Sequence, residues 1–143
     1  MPSDFHVRRL HADLDTPVSA YLKLSQGATC SFLYESVEGR ERWAAYSILG
    51  VGARRTITAA DGRVTVTRGE SQQSFDETDA LRGLKRALAD DPLSVVPDAP
   101  PFCGGIFGYL AYDAVRGFEK LPGVSGDAEV PDAVFFEPEV VAV

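Results

Sequence analysis

The sequence has few of the residues from which metal sites, disulfide frameworks and catalytic bases are built. Its two cysteines, Cys30 and Cys103, lie far apart in a chain of 143 residues and form no C-x-x-C pair. Its two histidines, His6 and His11, have no further cluster of cysteine or histidine beside them. We therefore predict buried thiols in a reducing compartment, surface histidines, and no metal site in this chain.

Positive charge and long apolar runs are also scarce. The 14 Lys and Arg residues face 21 Asp and Glu residues, giving a net charge of -7 and a pI near 4.7, which argues against a broad phosphate-binding surface. No apolar run approaches the ~20 residues of a membrane helix, and the N-terminus lacks the layout of a signal peptide. We predict a cytoplasmic protein that binds neither nucleic acid nor membrane.

The segments that are present predict an α+β fold with largely antiparallel sheets and a few packing helices. Apolar residues make up 45% of the chain, enough for one domain over residues 1–143. Thr16 followed by Pro17 starts a helix that ends by Gly27. A second, amphipathic helix over 79–90 is expected to be capped by Thr78 or Asp76.

Apolar and alternating runs supply the strands. The runs "ATCSFLYESV" and "RWAAYSILG" read as strands, the first of them apolar on both faces and hence central in a sheet or sandwiched between layers. "RRTITAADGRVTVTRG" predicts a hairpin that turns at Asp61-Gly62. "CGGIFGYLAYD" predicts a further strand whose glycines permit close backbone approach, with a short helix after it. The last run, "AVFFEPEVVAV", is strand-like, and we expect its apolar residues to be uncovered, as in a truncated chain or in one whose last strand is completed elsewhere.

Glu35 and Ser36 stand at the end of the first apolar strand. Alternation sends Glu35 to one face of that strand and Tyr34 and Ser36 to the other. A carboxylate at a buried strand end needs a cationic partner, and Arg40 and Arg42 are near in sequence. One interpretation is therefore a structural ion pair beside a turn. The other is a small zwitterionic ligand whose ammonium is held by Glu35, with Ser36 at its polar end.

Three ordered stretches, "TPVSAYLKL", "SFLYESVEGRERWAAYSILG" and "GGIFGYLAYDAVRGFEKLP", resemble the N-terminal domain of anthranilate synthase component I, a chorismate-utilising enzyme of tryptophan biosynthesis. The resemblance implies the N-terminal part of the chorismate-utilising synthase fold. It also implies that the Leu-Tyr-Glu-Ser stretch lines a feedback site for tryptophan, with Glu35 and Ser36 as ligands and Tyr34 and Tyr46 at the wall. Ala45 stands where many members have a basic residue, which bears on tryptophan affinity.

The resemblance further implies what lies outside the chain. The chorismate site, its Mg²⁺ and the catalytic residues belong to a C-terminal chorismate-binding domain, so we assign no catalytic residue and no cofactor here and expect this piece alone to be inactive. A glutamine amidotransferase subunit is the implied partner. Two alternatives stay open: the aminodeoxychorismate synthase component of folate biosynthesis, and a stand-alone amino-acid-binding domain without catalysis.

Overall fold

The computed structural model describes residues 6–35, 46–90, 92, 103–117, 119–120 and 130–143. All pairings between its strands are antiparallel, which confirms the predicted α+β class. None of the helices in these ranges is long and apolar enough to cross a membrane. The elements, in chain order, are α1 (Pro17–Leu24), β1 (Ser31–Glu35), β2 (Ser47–Val51), β3 (Arg55–Ala60), β4 (Arg63–Arg68), β5 (Ser71–Asp76), α2 (Ala80–Asp90), β6 (Phe107–Leu110), a 3₁₀ helix (Tyr112–Gly117), β7 (Ala133–Glu137) and β8 (Val140–Ala142).

The residues group into two compact units, each with one sheet. The small-sheet unit comprises Met1–Ala53, Ser94–Gly105 and Pro138–Val143, with strand order β1-β2-β8. The large-sheet unit comprises Arg54–Leu93 and Ile106–Glu137, with strand order β5-β4-β3-β7-β6. That residues 1–143 act as one domain stays a prediction.

The hairpin at the centre of the large sheet forms as predicted. Asp61 and Gly62 connect β3 to β4 and have φ angles of 51° and 71°, the left-handed values that a two-residue turn of this kind requires. Glycine adopts such angles without strain and aspartate tolerates them, so the local sequence fixes the register of the two strands.

The core of the large-sheet unit lies between α2 and the sheet. The residues Leu84 and Leu88 of α2 pack against it, as their spacing predicted, and Arg82, Lys85 and Arg86 are exposed. Small residues let the helix approach closely, because a Cβ at Gly83 would overlap the Val64 side chain. The buried members are Ile57, Ala59, Val64, Ala80, Ala87, Ala114 and Ala133.

The capping residue of α2 is Asp79, so the prediction of Thr78 or Asp76 was wrong. Asp79 Oδ1 accepts hydrogen bonds from the backbone N–H groups of Leu81 and Arg82, both at 3.0 Å. Asp76 instead belongs to β5, where its carboxylate pairs with Arg63. The helix therefore begins one residue later than the sequence pattern indicated, because Asp76, Thr78 and Asp79 all have side chains that can cap a helix.

Strand β5 was missed from the sequence. Its residues, SQQSFD, are polar apart from Phe75, so they show neither the alternation nor the β-branched content of a typical strand. Pairing with β4 from Arg63 to Arg68 supplies what its own propensity lacks. Gly69, with a φ of 52°, makes the tight connection between the two strands.

The glycines of "CGGIFGYLAYD" serve different purposes. Close approach is confirmed at Gly108, where a Cβ would overlap the backbone of Val134 on β7. The same close approach is not seen at Gly104, where no atom of the described residues other than its chain neighbours lies within 4 Å of the place a Cβ would occupy. The short helix predicted over 114–122 is observed as the 3₁₀ helix, which starts two residues earlier, at Tyr112.

The final apolar run divides into two strands of different sheets. Strand β7 lies between β3 and β6, and its Ala133 and Phe136 are buried. Strand β8 pairs with β2. The expectation of an uncovered run is therefore wrong for β7 and holds only near the end, where Val140 and Val143 are 50% and 45% exposed.

In the small-sheet unit, α1 packs against β1 and β2. Thr16 and Ser19 form the capping box that satisfies the first turn, and Pro17 occupies the first helical position as predicted. Of the two positions predicted for β1, the central one is wrong for the part of the chain described here, in which β2 occupies the middle of the sheet and β1 is an outer strand. That β1 is sandwiched between layers stays a prediction.

Candidate functional site

Three of the four predicted site residues are described, and they lie at the end of β1 and just before β2. Glu35 is the last residue of β1 and pairs with Ser47, and Tyr34 pairs with Ile48. Tyr34 is 51% exposed and Tyr46, which immediately precedes β2, is 39% exposed. The register therefore brings Tyr34, Glu35 and Tyr46 to the same end of the strand pair, where a ligand from solvent can reach them.

A glycine opposite Phe32 determines how the aromatic side of this site is built. Phe32 pairs with Gly50 across the two strands, and a Cβ at Gly50 would overlap the Phe32 ring. The ring thus covers the glycine, as aromatic residues do for glycines in other sheets. Its centroid lies 5.1 Å from that of Tyr34, with the planes tilted by 36°, so Phe32 supports one side of the Tyr34 ring.

Glu35 and Tyr34 belong to opposite faces of β1, as alternation predicted. Residues that pair directly share a face, so Glu35 lies with Ser47, and Tyr34 lies with Ile48. A ligand that contacts both Glu35 and Tyr34 must therefore lie across the end of the strand rather than on one face. This is a constraint on the predicted pocket that spacing alone did not give.

The end of β1 is exposed, so one premise of the sequence argument is wrong. Glu35 was expected at a buried strand end, where its charge would need a cationic partner, but its side chain is exposed to solvent. Water can hydrate the carboxylate there, and no ion pair is required by burial. Arg40, Arg42, Ser36 and Ala45 lie outside the described residues.

The face of β1 on which Glu35 lies is also the face that contacts helix α1. Tyr21 Oη on the helix lies 2.9 Å from Ser31 Oγ at the start of β1. Asp15, which lies just before α1, accepts two hydrogen bonds at Oδ1. One comes from Lys23 Nζ in the last turn of the helix, at 2.6 Å, and the other from Ser19 Oγ, at 2.9 Å. The Lys23 hydrogen bond, followed by that of Ser19, lowers the pKa of Asp15 below its usual value.

A buried ion pair in the large-sheet unit was not predicted. Arg55, which is 1% exposed, places Nη2 at 3.1 Å from Glu137 Oε2 on the neighbouring strand. The sequence feature that could have indicated this pair is a charged residue at the end of each strand: Arg55 begins β3 and Glu137 ends β7. Such a pair fixes which residues of β3 and β7 face each other, because leaving either charge alone would be costly.

Neither cysteine nor carboxylate clusters suggest a metal site in the described ranges. Cys30 and Cys103 are free thiols of intermediate exposure, so they are less buried than predicted. No group of three His, Cys, Asp or Glu side chains among these residues could hold a metal ion. The side chains described at the end of β1 are a solvent-exposed carboxylate and two partly exposed tyrosine rings, groups that can pair with an ammonium group and with an apolar or aromatic side chain.

No family model matches the sequence, but comparison with curated proteins finds relatives of the chain. The chain is 53% identical over 133 residues to anthranilate synthase component 1 of Thermus thermophilus, 40% over 140 residues to that of Cereibacter sphaeroides, and 42% over 110 residues to that of Pseudomonas aeruginosa. These alignments cover 92%, 94% and 76% of the chain. They cover only 28%, 28% and 22% of the relatives, so the chain spans less than a third of their length.

Proposed function

Because this chain belongs to the anthranilate synthase component 1 family, we propose that it is the N-terminal, regulatory part of such a synthase. The parent enzyme converts chorismate and glutamine-derived ammonia to anthranilate and pyruvate, the first committed step toward tryptophan. Chorismate and Mg²⁺ are bound by the remaining, larger part of the polypeptide. A glutamine amidotransferase subunit supplies the ammonia, and the complex works in the cytoplasm.

The end of β1 is the feedback site in this proposal. Glu35 holds the ammonium group of tryptophan through a charge-assisted hydrogen bond, and Ser36 contacts the polar backbone atoms of the inhibitor. Tyr34 and Tyr46 line the wall that meets the indole ring. The observation that carries the proposal is an exposed carboxylate beside exposed tyrosines, Tyr34 at 51% and Tyr46 at 39%, within the stretch that matches the family.

Inhibition follows from differential affinity. Tryptophan that binds the inactive arrangement of the enzyme more tightly than the active one shifts the population toward the inactive arrangement. A coupling of about 1–3 kcal/mol is typical of allosteric enzymes and corresponds to a roughly 5- to 150-fold change in affinity. Ala45 stands where many members of the family carry a basic residue that would face the carboxylate of the inhibitor. This position therefore bears on the affinity for tryptophan.

Product analysis of the full-length enzyme tests the reaction. With chorismate, Mg²⁺ and ammonia, the proposal expects anthranilate and pyruvate, and added tryptophan lowers the rate. Formation of aminodeoxychorismate without pyruvate would assign the protein to folate biosynthesis instead. Absence of any product from a full-length, folded protein would favour a binding domain without catalysis.

A further inference from the structure

Strand β2 contains a glycine at a position where the backbone does not require one. Gly50 is buried within the strand. Its φ angle lies outside the left-handed region that favours glycine, so an alanine could adopt the same backbone conformation. A glycine inside a strand also weakens it, since there is no side chain to pack. What the position requires is therefore the space that a side chain would fill.

The ring of Phe32 occupies that space. Phe32 pairs with Gly50 across β1 and β2, and three atoms of its ring lie within 3.0 Å of the place where a Cβ of residue 50 would stand. Carbon atoms in contact stay about 3.5 to 4.0 Å apart. Any residue larger than glycine at position 50 would therefore displace the ring.

The Phe32 ring in turn contacts Tyr34, two residues further along the same face of β1. The 5.1 Å between the ring centroids is a favourable separation for an aromatic pair. Tyr34 is 51% exposed, whereas Phe32 is partly buried. An exposed side chain has several rotamers available, and contact with a more buried neighbour restricts them. Gly50, Phe32 and Tyr34 thus form a continuous row of contacts from a buried position in β2 to the exposed end of β1.

This row lies on the face of β1 opposite to Glu35. Glu35 pairs with Ser47 on the other face, and neither residue belongs to the row. A substitution at Phe32 or Gly50 therefore changes the support of the Tyr34 ring and leaves the carboxylate in place. The two parts of the proposed site, the aromatic wall and the partner of the ammonium group, can be varied separately.

We propose that Phe32 and Gly50 are positioning residues of the tryptophan site. Gly50 leaves space for the Phe32 ring, and that ring holds the Tyr34 ring in the orientation that meets the indole. The inference rests on the proposed function, in which Tyr34 lines the wall and Glu35 holds the ammonium group. A side chain that is oriented beforehand loses less rotamer freedom when the ligand binds, which raises affinity. Loss of the Phe32 ring weakens binding through Tyr34, without any contact between Phe32 and the ligand.

Calorimetric titration of L-tryptophan into the full-length subunit tests this role. Phe32→Leu removes the ring but keeps an apolar side chain, and we expect it to raise the dissociation constant by about three- to tenfold, the range for one aromatic pair. Gly50→Ala is an independent variant that displaces the ring and should act in the same direction. Val141→Ala is the matched control, because Val141 pairs with Gly50 from β8, on the side away from β1, and should leave the dissociation constant unchanged.

A double-variant cycle separates positioning from a general loss of stability. In a Tyr34→Leu background, Phe32→Leu should cause no further change in the dissociation constant, because the ring through which it acts is already absent. Its effect on the melting temperature should persist in that background. The same fold-change in binding with and without Tyr34 would overturn the proposal, and so would an unchanged dissociation constant in folded Phe32→Leu and Gly50→Ala subunits.

Failure of this inference differs from failure of the proposed function. If the unmodified subunit binds tryptophan and Glu35→Gln weakens the binding, while Phe32→Leu and Gly50→Ala do not, the positioning role is wrong and the proposed function stands. If the unmodified, folded subunit does not bind tryptophan, the proposed feedback site is wrong and the positioning role is overturned with it.

Discussion

The two units of this chain differ in how completely they bury their own apolar residues. The large-sheet unit packs α2 onto five strands and encloses a cluster that includes Val64 at 0% exposure. In the small-sheet unit, β2 contributes Leu49 and Val51 to the interior at 5% and 8% exposure, while α1 buries none of its residues. Among the described residues, the unit that carries the candidate binding site thus buries fewer of its apolar side chains, and substitutions should affect the two units differently.

The largest effect is expected at the buried ion pair of the large-sheet unit. Arg55→Ala leaves Glu137 without its partner at 3.1 Å, and breaking a buried pair in this way costs about 3–5 kcal/mol of unfolding free energy. Urea denaturation measures the change. Arg54→Ala is the matched control, because Arg54 is 41% exposed and 4.0 Å from the same carboxylate, so its loss should cost less than ~1 kcal/mol. Equal losses in the two variants would contradict the account.

A moderate effect is expected where α2 meets β4. Gly83→Ala raises helix propensity by about 1 kcal/mol. The added methyl group would, however, overlap the Val64 side chain, and overpacking of this kind costs about 1–3 kcal/mol. We expect net destabilisation, partly relieved by Val64→Ala in the same chain. A double variant whose loss equals the sum of the single losses would show that the two side chains do not compete for space.

A smaller effect is expected at the N-terminus of α2. Asp79→Ala removes the acceptor for two backbone N–H groups and should cost about 0.5–2 kcal/mol. Thr78→Ala, one residue earlier, should change the unfolding free energy by less than ~0.5 kcal/mol, as is usual for exposed surface positions. A larger loss of stability for Thr78→Ala than for Asp79→Ala would show that Thr78 is the capping residue.

The smallest effect is expected in the small-sheet unit, at Asp15. Hydrogen bonds from Lys23 and Ser19 lower the pKa of Asp15 in the folded chain, so its contribution to stability is present above the ordinary aspartate pKa of about 4 and is lost as the pH falls through the lower folded value. Asp15→Asn should therefore flatten the acid limb of the stability profile. Lys23→Met should flatten it similarly, with little further change in the double variant. If the changes in the two single variants added in the double variant, the pH dependence would not come from the hydrogen bond between Lys23 and Asp15.

Local patterns predicted those elements that depend on local chemistry. The capped start of α1, the Asp61-Gly62 turn and the apolar face of α2 were all predictable, because each needs only neighbouring residues. Strand β5 was not predictable, because its polar residues become a strand only by pairing with β4. The same limit explains the final run, whose division between two sheets depends on pairing with β3 and β2, which lie roughly 75 to 90 residues earlier in the chain.

The candidate site was predicted by resemblance more than by geometry. Alternation correctly separated Glu35 from Tyr34, but the sequence predicted a buried strand, central or sandwiched, and the structure places both residues at the exposed end of an outer strand. Hydrophobic composition shows that a strand is apolar on both faces without showing which layers cover those faces. A small unit within a longer protein makes this error more frequent, since its covering layers can come from elsewhere in the polypeptide.

The measurement that tests the central claim most directly is calorimetric titration of tryptophan into the full-length subunit, with Glu35→Gln and with Glu70→Gln as a matched control on an exposed turn of the large-sheet unit. Glu35→Gln keeps a hydrogen-bond acceptor but removes the negative charge, so we expect it to raise the dissociation constant by about 10-fold, while Glu70→Gln leaves it unchanged. The same dissociation constant in both variants and in the unmodified subunit would contradict the assignment of Glu35 to the inhibitor.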